Sequence, residues 1–366
     1  MLKVFSSNLA YAMTIFLAKW FFFAIVVAGE SEISPDVDIN PSESVGYGGA
    51  CKIKRDSVSD KNETQSDECE KEETGKNALG FPDLEESLPS NISLGVAQKI
   101  RLIGKDHPNA FFYRYVPQEY TPEKAWPLVV VLHGGPGGKA SRYLDFFQYL
   151  KKNKVVIVCP QALYDLPMEW NYPHSAAGVM QIIRQTSKVL RLDPRRLHLL
   201  GHSMGGGGVW AQCAILHSLW ASAGAAAGWY QVSIPPPIAE LKTLPFFLLH
   251  GDKDDKCPVR QAQWASKVLE KLGSEAFKYR QLKGQGHSFF GHAAMKEMMD
   301  WVLTLPRETP ADLNAAELTL KLYGERFGWT PGLKPLGEYQ PDSSVVRFLK
   351  ERENKKEQKE KQPTSS

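Results

Sequence analysis

Charge of one sign is what this chain has little of. Its 44 lysines and arginines stand against 41 aspartates and glutamates over 366 residues, a formal net charge of +3. Without a basic stripe there is no footprint for a nucleic acid, whose binding rests on phosphate contacts. Metal-ligand spacings are missing too. There is no His-Glu-x-x-His and no paired Cys-x-x-Cys, so neither a metal nor another cofactor is expected. No internal repeat is visible. Cysteine is scarce and odd in number, at five, which leaves at least one thiol free or paired between chains. Cys51 and Cys69 could close a loop. Cys159, Cys213 and Cys257 fall where the chain reads as folded, and there the expectation is a buried, inert thiol.

What is present is an ordinary globular composition, 43% hydrophobic and 23% charged, with length enough for one large or two modest domains. One long apolar run, Leu9–Ala28, is broken only by Lys19 and leads through Ala28-Gly29 to Glu30-Ser31-Glu32. A charged start, an apolar run and a small-residue exit spell a secretory signal peptide over residues 1–29. A membrane anchor is the rival, but Lys19 at its middle would cost roughly 2.5–3.5 kcal/mol. Either way the rest of the chain faces outward, to a secreted, lumenal or extracellular location, and membrane contact is expected only through this segment. The sequons at Asn62 and Asn91 agree with export and mark candidate glycosylation sites. Residues 30–94 are acidic and polar, with little apolar periodicity, and read as a flexible segment.

From about residue 95 to 307 the pattern changes. Unalternating apolar runs, Pro127–Leu132, Val155–Val158, Leu197–Leu200 and Phe246–Leu249, alternate with segments of helical spacing. Lys99–Ile103, Phe111–Val116 and Tyr279–Leu282 are further strands, and the alanine-rich Leu219–Trp229 contains another. The helical segments are Tyr143–Lys152, Ala176–Leu190, Val209–His217, Gln261–Leu272 and Ala293–Leu303. Continuous apolar strands separated by helices predict an α/β fold, a mostly parallel, doubly wound sheet covered on both faces. The stretch Tyr230–Leu244 is too short for an inserted lid, so no large cap domain is expected. Residues 308–366 read as an extension with aromatics that pack on the domain (Tyr323, Phe327, Trp329, Tyr339) and a charged tail.

Four points in this alternation carry chemistry. Leu197–Leu200 runs into Gly201-His202-Ser203-Met204-Gly205, a nucleophile elbow: a serine on a sharp strand-to-helix turn with small neighbours. Three more glycines follow Gly205, at about 1 kcal/mol each against alanine in a helix, a local rule broken where function demands it. A serine hydroxyl needs a base, a group to orient the base, and donors for the oxyanion. His133-Gly134-Gly135-Pro136-Gly137-Gly138 follows a strand and offers backbone N–H groups; the N–H of Met204 is the second donor. The same loop matches a dinucleotide fingerprint from Gly135 to Ala140, but the next strand ends Cys159-Pro160-Gln161 without the required acid. A phosphate loop fails at His133 and Ala140. For the acid, Asp252, Asp254 and Asp255 compete after Phe246–Leu249, and Asp254 is favoured by its place in the loop. For the base, His287 between Gly286 and Ser288 is preferred over His202, His250 and His292, because it follows both a strand and the acid.

These residues resemble an α/β-hydrolase over Val96–Arg307. The stretches Pro127–Gly138, Leu192–Gly205, His250–Pro258 and Gly286-His287 are similar to lidless serine carboxylesterases. Those include the phospholipase/carboxylesterase, dienelactone-hydrolase and polyhydroxybutyrate-depolymerase-like groups. The resemblance implies Ser203 as nucleophile, Asp254 as orienting acid, His287 as base, and Gly135 with Met204 as oxyanion donors. It implies hydrolysis of a carboxylic ester or thioester, with a small-molecule or lipid ester as substrate and an acyl-enzyme intermediate. His-Gly-Gly-Pro-Gly also resembles proline aminopeptidases, so a peptidase with the same three residues is an alternative. A binding protein that kept the fold and lost turnover is another.

Overall fold

The computed structural model describes residues 79–81, 91–103, 110–135, 137–163, 169–230 and 238–327. Outside them lie the expected leader, Asn62, Cys51, Cys69, most of the acidic segment, Pro136, Trp329, Tyr339 and the charged tail. Among the described residues no helix is long and apolar enough to cross a membrane. Asn91, the other sequon, is exposed.

The strands are β1 (Ala97–Arg101), β2 (Phe111–Tyr115), β3 (Trp126–Leu132), β4 (Val156–Pro160), β5 (Leu192–His202), β6 (Ser222–Ala226), β7 (Phe246–Gly251) and β8 (Phe277–Leu282). The helices are α1 (Ala140–Phe146), α2 (Pro173–Ser187), α3 (Met204–Ile215), α4 (Val259–Lys271), α5 (Ala293–Leu303) and α6 (Leu313–Phe327). All eight strands form one sheet in the order β1-β2-β4-β3-β5-β6-β7-β8. β2 pairs antiparallel with both neighbours, and every pair from β4 onward is parallel. The order doubles back at β3, and the helices cover both faces of the sheet. This is the α/β-hydrolase fold.

The apolar runs are continuous because each strand feeds two cores. Leu128, Val130 and Leu132 point into one, with Leu197, Leu199, Trp210 and Phe246. Val129 and Val131 point into the other, with Phe147, Leu200, Phe247 and Met298. All five β3 side chains from Leu128 to Leu132 are fully buried, each stabilising by roughly 1.5–3 kcal/mol.

The elements depart from expectation at their ends. The first strand is displaced by two residues, leaving Ile103 76% exposed. The expected helix over 143–152 splits into α1 and a 3₁₀ turn, Gln148–Lys152. α3 starts five residues before its apolar spacing suggests, because the glycines are helical. The packed part also extends beyond residues 95–307. Phe81 and Ile92 lie in the first core, and α6 adds Leu313, Ala316 and Leu320. Arg184 on α2 donates to Leu313 O at 3.1 Å and pairs with Glu317 at 2.5 Å.

Candidate active site

The loops after β3, β5, β7 and β8 all leave the same edge of the sheet, since these strands are parallel. That edge is where an open α/β sheet presents its functional groups. Ser203, between β5 and α3, has φ 60° and ψ −124°, a conformation costing on the order of 1–3 kcal/mol for a non-glycine residue. Two backbone bonds hold it there. Its N–H donates to Ala226 O at 2.9 Å, and its carbonyl accepts from Gly207 N–H at 3.1 Å.

The glycines around it are required by close approach. A Cβ on Gly201 would strike the carbonyl of Gly205, and one on Gly205 would strike that of Leu132. Cβ atoms on Gly206 and Gly207 would stand 2.6 Å from the carbonyl oxygens of Ala226 and Trp229. The helix therefore begins against the ends of β3 and β6, and the poor helix propensity of the glycines is offset by that fit.

His287, past β8, places Nε2 2.9 Å from Ser203 Oγ. Its Nδ1 lies 2.9 and 2.8 Å from the two carboxylate oxygens of Asp254. The Asp254 side chain has no solvent exposure and that of His287 has 18%. Asp254 Oδ1 also accepts the N–H groups of Lys256 and Cys257, at 2.9 and 2.8 Å. Hydroxyl, imidazole and carboxylate thus form one continuous chain, able to move a proton from the hydroxyl to the ring while the carboxylate stabilises the imidazolium.

The competing residues are held elsewhere. Asp252 accepts Gly284 N–H at 2.7 Å, and Asp255 is an exposed partner of Lys256. His292 caps α5 by accepting Ala294 N–H. His202 is buried, its Nε2–H donating to the carbonyl of His287 at 2.8 Å, and burial pushes its pKa down to about 4. It is a neutral strut beneath the loop carrying His287.

Gly134 reaches the serine directly: a Cβ there would lie 3.0 Å from Ser203 Cβ. Gly135 has φ +132°, and the Met204 N–H, first in its helix, has no intrahelical partner. The loop is clamped by residues that the sequence did not single out as functional. His133 Nε2 accepts Ala162 N–H at 3.0 Å, so its proton is on Nδ1, which donates to Gly134 O at 2.7 Å. Gln161, where a nucleotide-binding fold would need an acid, instead donates to Gly138 O and accepts Ala140 N–H. Trp170 Nε1–H donates to His133 O at 2.8 Å.

Two further side chains touch the acid. His250 is fully buried, with Nε2 2.8 Å from Cys257 O and 3.2 Å from Asp254 Oδ2. Both are acceptors, so Nε2 carries the proton, and burial lowers the pKa so that the ring is neutral. Cys257 is 1% exposed, with its thiol within 4.8 Å of ligating atoms of Asp254 and His287. Only the spelling Asp254-x-x-Cys257 and the place of His250 at the end of β7 could have signalled either one.

The phospholipase/carboxylesterase family matches residues 169–304, which hold Ser203, Asp254 and His287. No curated protein sequence matches the chain. Among solved structures, a thermostable esterase is similar at 21% identity and TM-score 0.48. That match covers 58% of this chain and 63% of the other, so the chain spans less than two thirds of that esterase's length. Thermogutta terrifontis esterase 2 phosphoramylated by tabun is similar at 16% identity and TM-score 0.45, over 67% of this chain and 100% of that one. A ferulic acid esterase is similar at 16% identity and TM-score 0.46, over 57% and 96%. The sheet order and the helices on both faces are those of an α/β-hydrolase, and residues 169–304 of this chain are similar to the phospholipase/carboxylesterase family.

Proposed function

We propose that the protein cleaves carboxylic esters or thioesters, with a small-molecule or lipid ester as substrate, through a Ser203–His287–Asp254 triad and an acyl-enzyme. The single observation that carries this reading is the unbroken hydrogen-bond chain from Ser203 Oγ through His287 to the enclosed Asp254 carboxylate. Ser203 Oγ attacks the acyl carbon as His287 Nε2 takes its proton. The oxyanion is met by the N–H groups of Gly135 and Met204, and losing one such donor typically costs about 2.7–4 kcal/mol. His287 then returns the proton to the departing alcohol. A water repeats the sequence, giving its proton to His287 and releasing the acid and free Ser203. Thioesters fit the same steps, with a thiol leaving.

A fluorophosphonate probe tests the assignment. The wild type is expected to label at Ser203 and lose esterase activity in step, while Ser203→Ala neither labels nor turns over. Equal labelling of both proteins overturns the reading. A panel of chromogenic esters of rising acyl length then fixes the substrate class.

A further inference from the structure

Among the described residues of the site, Cys257 is a nucleophilic side chain without a part in the proposed proton path. The turn that follows β7 puts it there. Asp254 Oδ1 accepts the N–H groups of Lys256 and Cys257, and the thiol lies beside the carboxylate and the imidazole. One ligating atom from each of Asp254, Cys257 and His287 can be chosen so that all three lie within 4.8 Å of one another. We propose that Asp254, Cys257 and His287 form an inhibitory site for a soft divalent cation, of the zinc or cadmium class, whose binding silences Ser203.

Geometry and donor type both bear on this. Tetrahedral zinc, with bonds of about 2.3 Å to sulfur and 2.0–2.1 Å to nitrogen, separates its ligands by about 3.3–3.6 Å. Side-chain movements of about an ångström bridge the difference from the observed spacing. A thiolate, an imidazole and a carboxylate suit zinc or cadmium, whereas magnesium and calcium want oxygen alone. His287, partly exposed, gives the cation a route in from solvent.

Binding is incompatible with turnover whichever ring nitrogen is used. Nδ1 of His287 is committed to Asp254 and Nε2 to Ser203. A cation on Nδ1 displaces the carboxylate, and one on Nε2 displaces the serine. In the binding step the thiol gives its proton to solvent as the sulfur–metal bond forms, and no electron changes hands. Burial holds the free thiol protonated, which leaves it unreactive toward oxidants, while a bound cation deprotonates its thiol ligand outright.

The inference rests on the triad assignment only for its activity readout, so the test uses two readouts on the full chain. Cadmium chloride added to the wild type is expected to produce a sulfur-to-metal charge-transfer band, matched by loss of esterase rate and reversed by a chelator. In Cys257→Ala the band weakens. The cation concentration for half-inhibition, each variant measured against its own uninhibited rate, rises at least about tenfold, the lower range for losing even an outer partner of a metal ligand. Cys257→Ser, closer in size, serves the same comparison if the alanine variant folds poorly. Ser203→Ala, inactive under the proposed function, keeps the band. Equal bands and equal inhibition in wild type and both Cys257 variants overturn the proposal. A band in a wild type that shows no esterase activity sinks the triad reading and leaves the cation site standing.

Discussion

The serine side and the acid side of this site are held by different physics. Around Ser203 the restraint is steric. Gly201, Gly205, Gly206 and Gly207 let α3 meet the carbonyls of Leu132, Ala226 and Trp229 with no side chain between. Around Asp254 the restraint is polar: two backbone N–H groups and two imidazoles converge on one carboxylate. A steric restraint couples the geometry of Ser203 to the stability of the sheet. A polar restraint sets charge and orientation and leaves the sheet alone. Function and stability should therefore part company on the acid side and fall together on the serine side.

The largest effect tests the polar half. Asp254→Asn keeps an acceptor for the Lys256 and Cys257 N–H groups but presents an amide to His287 Nδ1, favouring the wrong tautomer. A fall in kcat of about 10⁴-fold is expected, the size seen when a triad acid is made an amide. The urea midpoint should stay close to wild type. A variant that unfolds early, or one that keeps a tenth of its kcat, breaks the contrast.

The steric half is tested by Gly205→Ala. The added methyl meets the backbone of Leu132 and His133, which cannot rotate away as a side chain could. Overpacking typically costs about 1–3 kcal/mol, and a backbone obstacle places this at about 3 kcal/mol or more. Denaturant unfolding should show that loss, and kcat should fall with it as Ser203 shifts. Retained stability with lost activity would show that the elbow is no more coupled to the sheet than the acid loop.

The same contrast explains what was legible in the sequence. A steric demand leaves a spelling, because only glycine meets it, and Gly201-x-Ser203-x-Gly205 was readable at once. So was the sheet, since side chains buried on both faces of β3 and β5 must be apolar without alternation. A convergence of hydrogen bonds leaves no such spelling. Asp252, Asp254 and Asp255 look alike along the chain, and only loop position and chain order favoured Asp254 and His287. His250 was weighed only as a rival base and His133 only as the start of its loop, while Gln161 and Cys257 were given no part in the site, because their partners lie on other loops or on backbone atoms that sequence does not display. The boundaries of α1 and α3 differed because a 3₁₀ turn and a run of glycines both hide the apolar period of a helix.

The smallest effect separates two equally buried histidines, one on each side. His250 adjoins a carboxylate. His198, on the serine-bearing strand, has only a hydroxyl: its Nδ1–H donates to Ser222 Oγ at 2.8 Å, and that hydroxyl donates to Val302 O. Its Nε2 has no partner, and burial pushes its pKa down to about 3. As pH falls through about 6.5 the unfolded imidazole takes a proton and the folded one does not. The unfolded state then binds more protons, so stability is full above about pH 7 and declines toward acid. Between pH 7.5 and 5.5 the loss is on the order of 1 kcal/mol. His198→Asn, which keeps a donor near Nδ1 and cannot titrate, should lose that much less over the same interval in denaturant melts. Parallel pH profiles for the two proteins would mean that the serine strand is not where acid first loosens the fold.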